Sequence, residues 1–84
     1  MRYSTRTRYG LRFLINLAAR PAGSCVQLAE IAREEGVSVK YLEQIVRVLR
    51  PAGILRSARG AKGGYALAKS PDAICMDEVF EHLE

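Results

Sequence analysis

The chain has little of what catalysis, metal binding or secretion demands. Its two cysteines, Cys25 and Cys75, stand fifty residues apart, which provides neither a disulfide framework nor the CxxC spacing of a zinc site; reduced thiols are the expected state. The single histidine, His82, lies near the C-terminal end without a nucleophile to serve, and the acids do not gather around a conceivable cleft, so an enzyme is not expected. The glycine run at 60–64 lacks the GK[ST] ending of a phosphate loop and precedes a strand instead of a helix. No apolar stretch approaches the roughly 18 residues of a membrane span. The basic start, MRYSTRTRYG, leads into an apolar segment broken by Arg12 and shows no small-residue cleavage site, so it does not read as a secretory signal.

Charge of one sign is missing from long stretches. Residues 1–20 carry five arginines and no acid, and residues 70–84 carry five acids and no lysine or arginine. Residues 37–69 hold seven cations against Glu43 alone, while residues 21–36 set Arg33 against Glu30, Glu34 and Glu35. The net charge of +4 therefore conceals two basic blocks separated by an acidic helix. That pattern predicts one cationic face, the footprint of phosphate contacts.

At 84 residues, 49% of them hydrophobic, the chain is one domain, expected to fold around a small core. Ser4 or Thr5 can cap a first helix running to about Ala19. Leu11, Phe13, Leu14, Ile15, Leu17 and Ala18 would be mostly buried beside a narrow stripe of Arg8, Arg12, Asn16 and Arg20. Residues 25–27 suit a short strand. Leu28, Ile31 and Ala32 mark the inner face of a second helix that Gly36 ends. Gly36-Val37-Ser38 is a three-residue turn of helix-turn-helix length, with Ser38 as the next cap. Val39, Leu42, Ile45, Val46 and Leu49 then fall on the core side of a third helix. Pro51 should push Arg50 into extended geometry and stop that helix. Residues 54–58 and 64–68 form a hairpin around a basic, glycine-rich tip, and Met76, Val79, Phe80 and Leu83 line a last short helix.

The predicted architecture is thus mainly α with a small β-hairpin, a winged helix-turn-helix. Its third helix is shaped for the major groove of duplex DNA, and its hairpin is placed to reach the backbone or the minor groove. The segments MRYSTRTRY, VSVKYLEQIVRVLR and SARGAKGGYALAKSPDAICMDEVF closely resemble the N-terminal DNA-binding domain of the Rrf-two (IscR-like) family of bacterial winged-helix transcription regulators. The resemblance runs along the whole chain without a gap. It implies cytoplasmic homodimers on palindromic promoter sites, with double-stranded DNA as the partner. By position, Ser38, Lys40 and Glu43 match residues that approach bases, Tyr41, Gln44 and Arg50 match backbone contacts, and Arg59 matches the arginine that enters the minor groove. Physics supports those roles: a glutamate accepts from a cytosine amino group, and an arginine suits a narrow, electronegative minor groove. Arg47 and Lys62 complete the basic surface of helix and wing, and Arg6 and Arg8 supply phosphate contacts from the first block.

The chain departs from the family pattern at three points. Ala61 and Lys62 stand where the wing usually has proline and a third glycine, and Lys40 replaces a small polar residue, favouring guanine or a phosphate. The family's long dimerisation helix and cysteine ligands follow the point where Glu84 ends the sequence, and Cys25 and Cys75 do not fall at ligand positions. No metal or cluster is therefore expected in these residues, the two thiols are read as small buried side chains, and the segment alone should be monomeric or weakly dimeric. Three other readings are open: a winged helix that docks a protein, a thiol switch through Cys25 and Cys75, and a Glu43 that merely pairs with Arg47 four residues on.

Overall fold

A computed structural model describes residues 3–60 and 63–84. Helix α1 spans Thr5–Ala18, α2 Leu28–Glu35 and α3 Val39–Leu49. Strands β1 (Leu55–Ala58) and β2 (Gly64–Leu67) follow, then a 3₁₀ turn at Pro71–Ala73 and helix α4, Met76–Leu83. The expected winged helix-turn-helix is the architecture observed.

Local chemistry accounts for the boundaries. The Ser4 hydroxyl accepts from the Thr7 N–H at 3.1 Å and opens α1, satisfying a donor that the helix cannot pair internally. Gly36 takes left-handed φ 71° at the end of α2 and donates its N–H to the Ala32 carbonyl, a conformation that a side chain would strain. The three residues Gly36-Val37-Ser38 then separate α2 from α3, as expected. Helix α3 stops by a different device from the one anticipated. Arg50 stays helical at φ −68°, ψ −49° despite Pro51. The chain reverses instead at Gly53, and the Ile54 N–H closes onto the Leu49 carbonyl at 3.1 Å, a Schellman-type exit.

The hairpin is antiparallel, with Leu55 opposite Leu67 and Ser57 opposite Tyr65. The short strand expected at 25–27 is reduced to a single bridge, in which Val26 and Tyr65 exchange backbone hydrogen bonds of 2.9 and 2.8 Å. Gly64 makes this approach possible, since a Cβ there would strike the Val26 carbonyl oxygen. The bridge ties the wing to the segment that leads into α2.

Phe13, Leu17, Ile31, Leu42, Ile45, Leu49, Ile54, Val79 and Leu83 form the centre of the core. Burying each such side chain contributes about 1.5–3 kcal/mol against its conformational cost. Helix α4 lies so close to α1 that a Cβ on Gly10 would stand 2.5 Å from a Leu83 methyl. Four residues placed on the core side lie outside it: Ile15 is 67% exposed, Val39 39% and Met76 47%, and Ala18 at the end of α1 is exposed as well. Ile15 follows from helical geometry, because at ~100° per residue it points some 165° from the face centred on Gly10, Phe13 and Leu17. Val39 and Met76 are the first residues of their helices, before the inner face has met a neighbour. Phe80 is half-buried and stacks on Tyr3, with centroids 4.9 Å apart. No helix among the described residues is long and apolar enough to cross a membrane.

Candidate nucleic-acid interface

Helix α3 presents its polar face to solvent. Lys40, Glu43, Gln44, Arg47 and Arg50 recur at steps of three, one, three and three, which puts them along one side of a helix, and all five are exposed. Their side chains form no hydrogen bond or ion pair with another described residue, so Glu43 is not consumed by Arg47. Ser38 is also exposed. Its hydroxyl oxygen accepts from the Tyr41 N–H at 3.0 Å, leaving the hydroxyl proton available to an outside acceptor.

Tyr41 differs from its expected outward position. It is half-buried, and its ring meets Tyr9 of α1 edge-on at 6.0 Å and 87°. Arg59 follows β1 at the wing's end, exposed and without a side-chain partner among the described residues. Lys62 and Ala61 lie outside the described residues.

A groove of about 330 Å³ runs between α3 and the wing, lined by Glu43, Val46, Arg47, Arg50, Pro51 and Tyr65. Tyr65 is the one member that comes from the hairpin. The Val26 bridge holds its strand in place, and although residues 25–27 read as a strand, the sequence does not indicate that Tyr65 is the partner.

The N-terminal basic block divides in two. Arg20 pairs with Glu30 and Glu34 of α2, at 2.7 Å each, and Arg12 pairs with Glu35 at 2.9 Å. Asn16 bridges the two pairs, donating to Glu34 and Glu35 while accepting from Arg20. The Asn16 hydrogen bond, assisted by Arg20, holds the Glu34 carboxyl below its ordinary pKa. This ladder joins α1 to α2 and withdraws two arginines from any outside phosphate. The acids needed for it were visible in the sequence, but that they meet these arginines is a consequence of the helix packing.

Arg8 is exposed with no side-chain partner among the described residues. Arg6 is exposed, and its Nε donates to the Leu83 carbonyl at 2.7 Å. Beside it the Glu84 carboxylate accepts from the Thr7 hydroxyl, from the Ser4 hydroxyl at 2.7 Å and from the Ser4 N–H at 3.2 Å. Those donors lower the Glu84 pKa, Thr7 first.

The thiols do not come together into a site. Cys25 is half-buried, with its sulfur 3.9 Å from an Arg56 guanidinium nitrogen, and Cys75 is exposed immediately before α4 instead of buried. His82 is exposed, and no group of three or more His, Cys, Asp or Glu side chains that could hold a metal occurs among the described residues.

Comparison with known proteins matches this architecture. The family model described as "Rrf2: Iron-dependent Transcriptional regulator" covers residues 3–84. The chain is 44% identical over 84 residues to protein rrf2 of Nitratidesulfovibrio vulgaris, spanning all of this chain and 56% of that protein. It is equally 44% identical to the HTH-type transcriptional regulator CymR of Bacillus subtilis, of which it spans 61%. The solved structure of CymR, the global cysteine regulator of B. subtilis, superposes with TM-score 0.94 at 43% identity, covering all of this chain and 65% of that one. The IscR structure of T. potens gives TM-score 0.91 at 40% identity, again over the whole of this chain and 61% of its own. With the family model along nearly the full sequence and the same winged helix-turn-helix in its solved relatives, this chain belongs to the Rrf2 family of transcriptional regulators.

Proposed function

We propose that these residues read duplex DNA in a sequence-specific manner, with α3 in the major groove and the wing against the backbone or the minor groove. The observation that carries this reading is the contrast between the two sets of cations. Arg12 and Arg20 are spent on α2, whereas Lys40, Arg47, Arg50 and Arg59 stand exposed and unpaired among the described residues. Phosphates fix register, and base edges supply specificity. On this reading Arg47, Arg50, Arg8 and Tyr65 hold the backbone, Lys40 and Glu43 face bases, and Arg59 enters the minor groove. Lys40 favours guanine or a phosphate and Glu43 a cytosine amino group.

We further propose a cytoplasmic homodimer in a protein of the relatives' full length, and a monomer or weak dimer for these 84 residues alone. The family description couples regulation to iron, whereas Cys25, Cys75 and His82 do not gather into a ligand set among the described residues. The exposed α3 positions offer charge and hydrogen-bonding groups where a protein-docking helix would offer an apolar strip.

Selection of the domain at low salt against a randomised duplex pool tests the proposal. An enriched motif is expected, changed at one position by Glu43→Ala and relaxed in its A·T flanks by Arg59→Ala. A motif indifferent to both substitutions would remove Glu43 and Arg59 from the readout, and no binding at low salt would favour a protein-docking role.

A further inference from the structure

Resting on the DNA-binding reading, we propose that Tyr9 is a positioning residue for recognition: with Arg12 and Tyr41 it sets the pose of the leading end of α3.

That end has thin support from the core. Val39 and Lys40 are exposed, and the first fully buried residue of α3 is Leu42. Of the first three residues of the helix, Tyr41 alone is half-buried; it packs at the edge of the core and sets its ring against Tyr9. Helix-turn-helix proteins present base contacts from the N-terminal part of the recognition helix. Here that part carries Lys40 and Glu43, on either side of Tyr41 in sequence. A tilt of the first turn therefore moves the two proposed base-reading side chains together.

Tyr9 is itself held by a second contact. The Arg12 guanidinium lies 5.3 Å from the centroid of its ring, within cation–π range. Arg12 in turn donates to Glu35, the last residue of α2, whose side chain is only 15% exposed against 51% for Arg12. Glu35 also accepts from Asn16 at 3.1 Å, so the carboxylate is fixed by two donors from α1. The sequence Glu35–Arg12–Tyr9–Tyr41 thus joins the three helices at one point, next to the turn that separates α2 from α3. An edge-to-face ring pair has a defined geometry that an aliphatic contact lacks. It locates the start of α3 relative to α1 by angle as well as by distance, while none of the charges proposed to meet phosphates belongs to it.

The test uses the whole chain, the half-site duplex that it selects, and a shuffled duplex of equal length. Tyr9→Leu is expected to weaken the selected site about tenfold, the scale of one aromatic pair. Affinity for the shuffled duplex and the salt dependence of binding should be unchanged, because no cation has moved. Tyr9→Phe keeps the ring and should behave as the parent, and Tyr9→Leu with Tyr41→Leu should be no weaker than the poorer single variant. Arg12→Gln, at a half-exposed position that threatens folding less, should lose selectivity in the same direction. Equal loss on both duplexes, no loss on either, or a Tyr9→Phe variant as weak as Tyr9→Leu would overturn the proposal, the last by making the hydroxyl a direct contact. A parent chain that selects no motif would overturn the DNA reading and this inference together.

Discussion

The pairing of Arg20 with Glu30 and Glu34 gives a quantitative expectation for binding in salt. Each phosphate neutralised on B-DNA changes the slope of log K against log salt by about −0.9. Arg6, Arg8, Lys40, Arg47, Arg50 and Arg59 are the exposed cations assigned to phosphate or groove contact, which puts the slope near −5. Affinity should therefore fall about thirty-fold when salt doubles from 0.1 to 0.2 M. Arg47→Ala should flatten the slope by about 0.9 and weaken binding at 0.1 M about eightfold, the counterion-release share of one phosphate. Arg20→Ala should leave the slope alone, because its charge is already answered by two carboxylates of α2. Fluorescence anisotropy on a labelled duplex over a salt series, with melting curves to confirm that Arg20→Ala is folded, measures all three. If Arg20→Ala flattened the slope as much as Arg47→Ala, the division of the basic blocks into structural and DNA-facing sets would be wrong.

Two further outcomes are expected. Gly64→Ala puts a side chain at φ 143° and drives its Cβ into the Val26 backbone, so the bridge should part at a cost of about 1–3 kcal/mol. Denaturant unfolding and amide exchange at Tyr65 would show it, and an unchanged midpoint would deny the bridge any role in stability. The lowered pKa of Glu84, caused first by the Thr7 hydroxyl and then by Ser4, gives an acid-sensitive contribution. A depressed carboxyl stabilises the fold above its ordinary value of 4.5, and that contribution is lost as pH falls through the lowered value in the folded state. The melting-temperature difference between parent and Glu84→Gln should accordingly be present at neutral pH and shrink in acid. A pH-independent difference would place the effect in packing.

Most of the fold was legible because it is written in local chemistry. Ser4 and Ser38 read as caps and act as caps, and Gly36 read as a helix stop and takes the left-handed conformation. The outward face of α3 was legible for the same reason, since helical period alone separates Leu42, Ile45 and Leu49 from Lys40, Glu43 and Arg47. What depends on distant parts of the chain was not. The apolar Ile15 looked like core until the position of the neighbours left its side of α1 uncovered. Arg12 and Arg20 read only as part of the polar stripe of α1, and their pairing with the acids of α2 had no local sign. Tyr41 looked like an outward contact until Tyr9 was found against it, and the bridge partner of Tyr65 lies 39 positions earlier in the chain.

The seating of α4 on α1 carries a consequence for how the molecule is made. Gly10 receives Leu83, and Ser4 bonds Glu84 across 80 residues of sequence. Helix α1 is therefore covered by α4, which leaves the ribosome some 70 residues later. Contacts of such separation form only after the intervening chain has been ordered, at the expense of loop entropy. On the ribosome α1 can coil early but keeps the Gly10 side of its surface uncovered until residue 83 emerges. The domain must then close in one late cooperative step, and a nascent chain stalled before α4 would expose that surface to chaperones and proteases.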